Sequence, residues 1–296
     1  METIIHNEQL RAVISKHGAE LTSLRKGARE YIWQGDPKYW KRHAPILFPI
    51  VGRLNRDRYR TEGCEYALPQ HGFARDSDFT LVEQEERRVV HELIDTPQTR
   101  EHYPYAFRLW VEHRLEGNAL KAMWHIENRG SDSLYFQIGA HPAFLFPNFK
   151  AGDAEHGKLQ LLAKEGTGYR AVESFVRTPI TADGYARKSS VVEKGDRGYF
   201  ALGAESFAEG AWIIEHGQVQ RAVLIAEKPY LAISFDGAPV VGVWSPERKD
   251  APFVCIEPWQ GRCDSEGYEG EFSQRDWTIA LEGGGRFDFC YTIEIL

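Results

Sequence analysis

Phe107-Arg108-Leu109-Trp110-Val111-Glu112-His113-Arg114-Leu115 runs into Glu116-Gly117-Asn118, and Ala119-Leu120-Lys121-Ala122-Met123-Trp124-His125-Ile126 runs out again. On the way in, Phe107, Leu109, Val111, His113 and Leu115 alternate with mostly polar neighbours. On the way back Leu120, Ala122, Trp124 and Ile126 do the same. Successive side chains of a strand point to opposite faces, so a period of two marks a strand with one buried face. Glu116-Gly117-Asn118 carries the turn signal between two such runs, and the stretch is predicted to be a β-hairpin.

The same period extends over most of the chain. Near the C-terminus, Trp277, Ile279 and Leu281 lead into Glu282-Gly283-Gly284-Gly285, and Phe287, Phe289, Tyr291, Ile293 and Ile295 lead out, which predicts a second hairpin. Further strand candidates are 10–14, 31–33, 89–94, 134–138, 158–162, 222–225, 231–235, 240–244 and 253–256. No long stretch has a 3.6-residue period. The expected class is all-β, and a dozen or more strands need two packed sheets or a closed barrel. No linker or low-complexity tract divides residues 1–296, so the expectation is one large antiparallel β-sandwich. Residues 148–157 and the polar stretch 164–198 are predicted as loops on it.

The chain has 296 residues, 36 Lys and Arg against 43 Asp and Glu, and a net charge of −7. That balance argues against a nucleic-acid or anionic-membrane footprint. The N-terminus has no basic and apolar regions of a secretory signal, and Cys64, Cys255, Cys263 and Cys290 form no C-x2-C pair. A cytoplasmic protein with reduced thiols is expected. Eight Trp, 13 Tyr and 16 Phe supply aromatic faces of the kind that line a groove for a half-polar ligand such as a sugar.

Three segments break the apolar pattern with a titratable group. In Gln137-Ile138-Gly139-Ala140-His141-Pro142-Ala143-Phe144, His141 ends an apolar run and Pro142 fixes the backbone after it. In Phe253-Val254-Cys255-Ile256-Glu257-Pro258-Trp259, a carboxylate closes a run that reads as a fully buried strand. Such a group must be paired, protonated or functional, and partial drying raises its pKa towards that of a general base. In Pro45-Ile46-Leu47-Phe48-Pro49-Ile50-Val51-Gly52-Arg53 and Gln70-His71-Gly72-Phe73-Ala74-Arg75-Asp76, rigid residues accompany His71 and two arginines able to donate forked hydrogen bonds. Each group taken alone is also compatible with a structural role: a carbonyl-satisfied histidine, a closing ion pair, surface arginines held by Asp76 or Asp78. Together they suggest acid–base chemistry on a polyhydroxylated ligand. Neither a metal-ligand set nor a cofactor motif is evident.

These pieces, in this order, resemble the aldose 1-epimerase (galactose mutarotase) family, in its LacX-like branch, over nearly the whole chain. The resemblance implies a β-supersandwich fold. It implies His141 as the general acid that protonates the ring oxygen and Glu257 as the base that takes the anomeric hydroxyl proton. It places Arg53 and His71 on the sugar hydroxyls, and Arg75 where the hexose-6-phosphate branch meets its phosphate. Trp244, Trp259 and Phe73 are expected as stacking faces. An acidic sugar-contacting residue usual in the family is missing from Ser206-Phe207-Ala208-Glu209-Gly210, where Glu209 is the nearest substitute. The expected activity is anomer exchange of an aldohexose, without cofactor or metal. The alternatives are a hexose-6-phosphate mutarotase and a non-catalytic sugar binder. A third is a glycoside-cleaving enzyme in which Asp264 or Glu266 assists Glu257. Arg53, Arg56, Arg58 and Arg75 are the candidate cations for a phosphate.

Overall fold

The computed structural model describes residues 2–296, and two large antiparallel sheets dominate it. The opening hairpin forms as its pattern dictates. Strand Phe107–Glu116 pairs with Ala119–Asn128 from Phe107↔Asn128 to Glu116↔Ala119, with Gly117 in the left-handed region that the two-residue turn requires. The inward residues Leu109, Val111, Trp124 and Ile126 are buried, as is His113.

This hairpin sits inside a ten-stranded sheet. Arg286–Ile295, Pro229–Ser234 and Arg221–Ile225 follow on one side, and Arg88–Ile94 and Thr80–Gln84 on the other. The second sheet has eight strands. Its centre is Trp212–Ile214, Val240–Trp244, Phe253–Gln260 and Ile138–Ala140 in that order. The inner faces of both sheets meet in one core. Leu109, Trp124 and Ile293 of the first sheet and Val241, Val243, Val254 and Ile256 of the second all belong to it. The all-β sandwich expected from the sequence is therefore observed.

Three local expectations are corrected. Residues 164–198 are not a loop: they contain Gly168–Ala171, Ser174–Thr178 and Val191–Lys194. These strands lie at or near sheet edges and are largely exposed, and an inward position of Ser174–Thr178 is filled by Arg177, which pairs with Glu193 at 2.6 Å. A charge at an inward position erases the alternation that pattern reading needs. The Gly283-Gly284-Gly285 stretch does turn, with Gly285 N–H donating to the Glu282 carbonyl, but it closes no hairpin. Ile279–Leu281 pairs with Leu134–Phe136, while Arg286–Ile295 lies between Ala119–Asn128 and Pro229–Ser234. The turn is a corner between sheets. Asn128 holds it by donating to the Leu281 and Asp132 carbonyls, and a side chain at Gly283 would run into the Ser131 carbonyl at 2.3 Å. Residues 31–33 make only the isolated bridge Ile32↔Phe144. Residues 148–157 lack strand except for Gly157, which begins Gly157–Glu165.

His91 and His113 project into the core from neighbouring strands, and burial holds them down to about 4 and about 3. A lowered histidine pKa in the fold means that the unfolded chain binds the proton first. Their contribution is complete above the unfolded value near 6.5 and falls as pH drops from there towards 4 and 3, by about 1.4 kcal/mol per pH unit for each. The urea midpoint is expected to fall between pH 7 and pH 5, less steeply in His91→Gln, as followed by circular dichroism.

Candidate active site

On Phe253–Gln260 the residues Val254, Ile256 and Pro258 alternate with Phe253, Cys255, Glu257 and Trp259, and the first set includes core members. The second set therefore stands on the outer face of the eight-stranded sheet. There Glu257 and Trp259, with His141, line a cleft of about 1120 Å³, while Phe253 and Cys255 are packed in a small apolar cluster.

Register brings His141 and Glu257 together. Two short strands, Ile138–Ala140 and Ala143–Leu145, both pair with Phe253–Gln260, with Gly139 opposite Trp259 and Ala143 opposite Cys255. Continuing that register puts His141 directly across from Glu257. The ladder breaks there because Pro142 has no N–H to give; the His141 N–H donates instead to the Pro45 carbonyl. His141 Nε2 lies 3.2 Å from Glu257 Oε2.

Both groups are buried, and burial acts on them in opposite senses. It holds His141 down to about 3, with Arg75 and Arg42 adding to the effect, and pushes Glu257 well above the carboxylate range against the opposing indole N–H of Trp259. Burial thus favours a neutral imidazole beside a carboxylic acid over an imidazolium beside a carboxylate. The pair holds one proton in either description.

His71 adds a fixed donor. It and Gly72 both adopt left-handed conformations, φ 69° and 71°, and a Cβ at position 72 would overlap the Phe48 carbonyl at 2.2 Å. This turn is stitched to the segment carrying Arg53: His71 N–H donates to the Gly52 carbonyl, and Gly52 N–H donates to His71 Nδ1 at 3.0 Å. A ring nitrogen that accepts carries no proton, so the neutral ring bears its hydrogen on Nε2. Burial and the nearby Arg75 keep it neutral, well below its usual value. Its ring meets that of His141 edge-on at 5.8 Å.

Aromatic residues build one wall. Trp40 stacks on His141 with centroids 4.7 Å apart, and Trp244 meets His141 edge-on at 5.6 Å. The Trp259 indole lies across two strand glycines. A Cβ at Gly242 would come within 2.6 Å of its six-membered ring, and one at Gly139 within 2.6 Å of its Cδ1. Gly242→Ala is therefore expected to tilt the indole away from Glu257 and to destabilise the fold by about 1–3 kcal/mol, as overpacking does. Denaturant unfolding and the Trp fluorescence of the folded variant check this.

Of the residues singled out in the sequence, His141, Glu257, Arg53, His71, Arg75, Glu209, Trp244 and Trp259 all border the cleft. Arg53 is clamped by Asp57 through two bonds of 2.9 and 3.1 Å. Arg75 donates to the Gln70 carbonyl at 2.6 Å, and burial beside Arg42 lowers it to about 10. Glu209 stands exposed and pairs with Arg177 at 3.1 Å. Phe73 does not reach the cleft; it packs against Phe48, Tyr103 and Phe107 in the core. Arg56 and Arg58 line a separate pocket of about 360 Å³. Asp264 faces that pocket too, held by Arg275 at 2.6 Å and the Asn55 N–H at 2.7 Å, and Glu266 borders neither cavity. The carboxylates that border the cleft with Glu257 are Asp183, Glu209 and Glu247. Sequence reading missed Trp40, whose Tyr39-Trp40-Lys41 context carries no spacing signal. It also missed Asp183 and Arg187, which sit in the stretch read as loop.

Among the described residues, no helix is long and apolar enough to cross a membrane. The family model for aldose 1-epimerase matches residues 2–267. Protein LacX (chromosomal) of Lactococcus lactis subsp. lactis is 29% identical over 273 residues, 87% of each chain. A galactose mutarotase related enzyme from Lactobacillus acidophilus superimposes with a TM-score of 0.90 at 30% identity, over 100% of this chain and 97% of that one. A galactose mutarotase-like protein from Lactobacillus casei gives 0.90 at 28% identity, over the whole of both chains. With the two-sheet fold and the His–Glu cleft, the match over most of its length places this chain in the aldose 1-epimerase family.

Proposed function

We propose that the chain is a mutarotase that interconverts the α and β anomers of an aldohexose. The observation that carries this reading is the His141–Glu257 pair, imidazole Nε2 and carboxyl Oε2 lying 3.2 Å apart at the floor of an aromatic-walled cleft. Opening a cyclic hemiacetal requires a proton taken from O1 and one delivered to the ring oxygen, and reclosure on the other carbonyl face reverses both transfers. A pair with one proton and one vacancy can do both. Glu257 takes the O1 proton and His141 protonates the ring oxygen, once the shared proton has moved from the carboxyl to the imidazole. The direction of each transfer inverts on reclosure, so the pair returns to its starting state. His71 Nε2–H and Arg53 hold sugar hydroxyls, Arg75 and Glu209 offer further charged groups on the cleft wall, and Trp244 and Trp259 face the sugar's apolar edges. The ligand is a small sugar or sugar phosphate, and the chemistry uses only these side chains.

A non-catalytic sugar binder would keep the cleft and lose the rate. Polarimetry on freshly dissolved glucose, galactose and glucose 6-phosphate, paired with calorimetry, separates the two. Acceleration above buffer with any of these sugars supports the mutarotase. Binding without acceleration supports the binder.

A further inference from the structure

Cys255 is fully buried and has no part in the proton transfers, yet it stands beside the groups that do. It precedes Glu257 by two residues on the same strand, so both side chains leave the same face, and His141 reaches the same point from the strand pair opposite. One ligand atom each of His141, Cys255 and Glu257 lie within 4.8 Å of one another. The sequence hides this set, because the histidine and the cysteine lie 114 positions apart.

We propose that His141, Cys255 and Glu257 form a site for a thiophilic divalent cation of the zinc class, with the cleft supplying water as fourth ligand. Imidazole, thiolate and carboxylate are a donor set suited to Zn²⁺, which takes them tetrahedrally at about 2.0–2.3 Å. Such bonds put ligand atoms about 3.3–3.7 Å apart. The 3.2 Å His141–Glu257 approach is close to this, and the Cys255 separations, all within 4.8 Å, need to close by no more than about 1.5 Å. Charge favours the ion as well. A thiolate and a carboxylate neutralise a dication, so the buried floor gains no net charge. The Cys255 thiol proton and the Glu257 carboxyl proton leave to solvent. Glu257 Oε2, which faces His141 Nε2, is buried without a hydrogen-bond partner, so ligation displaces no hydrogen bond of that oxygen. Trp40, Trp244 and Phe253 pack around the site on one side and Trp259 on the other, leaving the cleft as the way in. Resting on the mutarotase reading, one consequence follows: the ion and a sugar compete for the same two groups.

The test needs no sugar. Co²⁺ is titrated into protein carrying Cys64→Ser, which removes the exposed thiol. The expected result is one ion per chain, with a thiolate-to-cobalt charge-transfer band in the near ultraviolet and tetrahedral bands in the visible, both erased by Zn²⁺. Adding Cys255→Ser removes the charge-transfer band and weakens binding by about 100-fold or more, since even changes in outer-shell partners cost 10–100-fold. His141→Asn and Glu257→Gln each weaken it comparably. Absence of the band in the Cys64→Ser protein, or its persistence in the Cys255→Ser variant with a native circular dichroism spectrum, overturns the proposal. Should Cys255→Ser fail to fold, the band and its loss in Glu257→Gln decide the matter.

Discussion

Glu257→Gln is expected to slow anomer exchange by about 100- to 10,000-fold, the range over which a positioned general acid or base acts. Glutamine matches the shape of glutamic acid and cannot hold or release the proton. The fold should survive. Burial already disfavours the ionised form of Glu257, so a neutral amide in its place removes no stabilising charge. The melting temperature is expected to stay level or rise. Polarimetry and thermal unfolding on one preparation check both halves. A variant that unfolds would show that Glu257 is structural. A folded variant with a near-normal rate would show that it is not the base.

His141→Asn is expected to lose a comparable factor, for a different reason. Asparagine cannot relay a proton, and it leaves Trp40 without the ring it stacks on at 4.7 Å. Some stability goes with that contact, so this variant should melt lower than Glu257→Gln. The double variant should be no slower than the slower single. Two residues that act as one proton-transfer unit lose their function once. A double variant whose loss is the product of the two single losses would mean independent roles.

Much of the fold was legible wherever one face of a strand is packed and the other wet. Phe107–Ile126 states its own pairing, turn and buried face. Legibility failed where the inward face carries a charge, as at Arg177, and where glycines mark a corner between sheets, as at 283–285. At the site, His141 and Glu257 stood out because each is a titratable group at the end of an apolar run. Their facing register did not, since it depends on two short strands meeting one long one. Trp40 was illegible for the same reason: its role comes from where the chain returns in space. Gly139 and Gly242 carried a readable signal. A glycine inside a strand often marks a close approach, here that of the Trp259 indole. Protonation was not legible either. An ordinary histidine near neutrality suggests an imidazolium, and only the depth of burial reverses that.

That protonation state gives the sharpest test of the shared-proton pair. The rate of anomer exchange is measured by NMR saturation transfer between anomeric protons, across the pH range in which the protein is folded, with the sugar it accelerates best. With His141 held down to about 3 and Glu257 raised above the carboxylate range, the pair keeps its one proton through neutrality. The expected result is an enzymatic rate that runs level through pH 6.5, with its acid limb displaced far below the ordinary histidine value. A rate that falls away below an inflection at 6.5, or no acceleration over buffer at any pH, would contradict it.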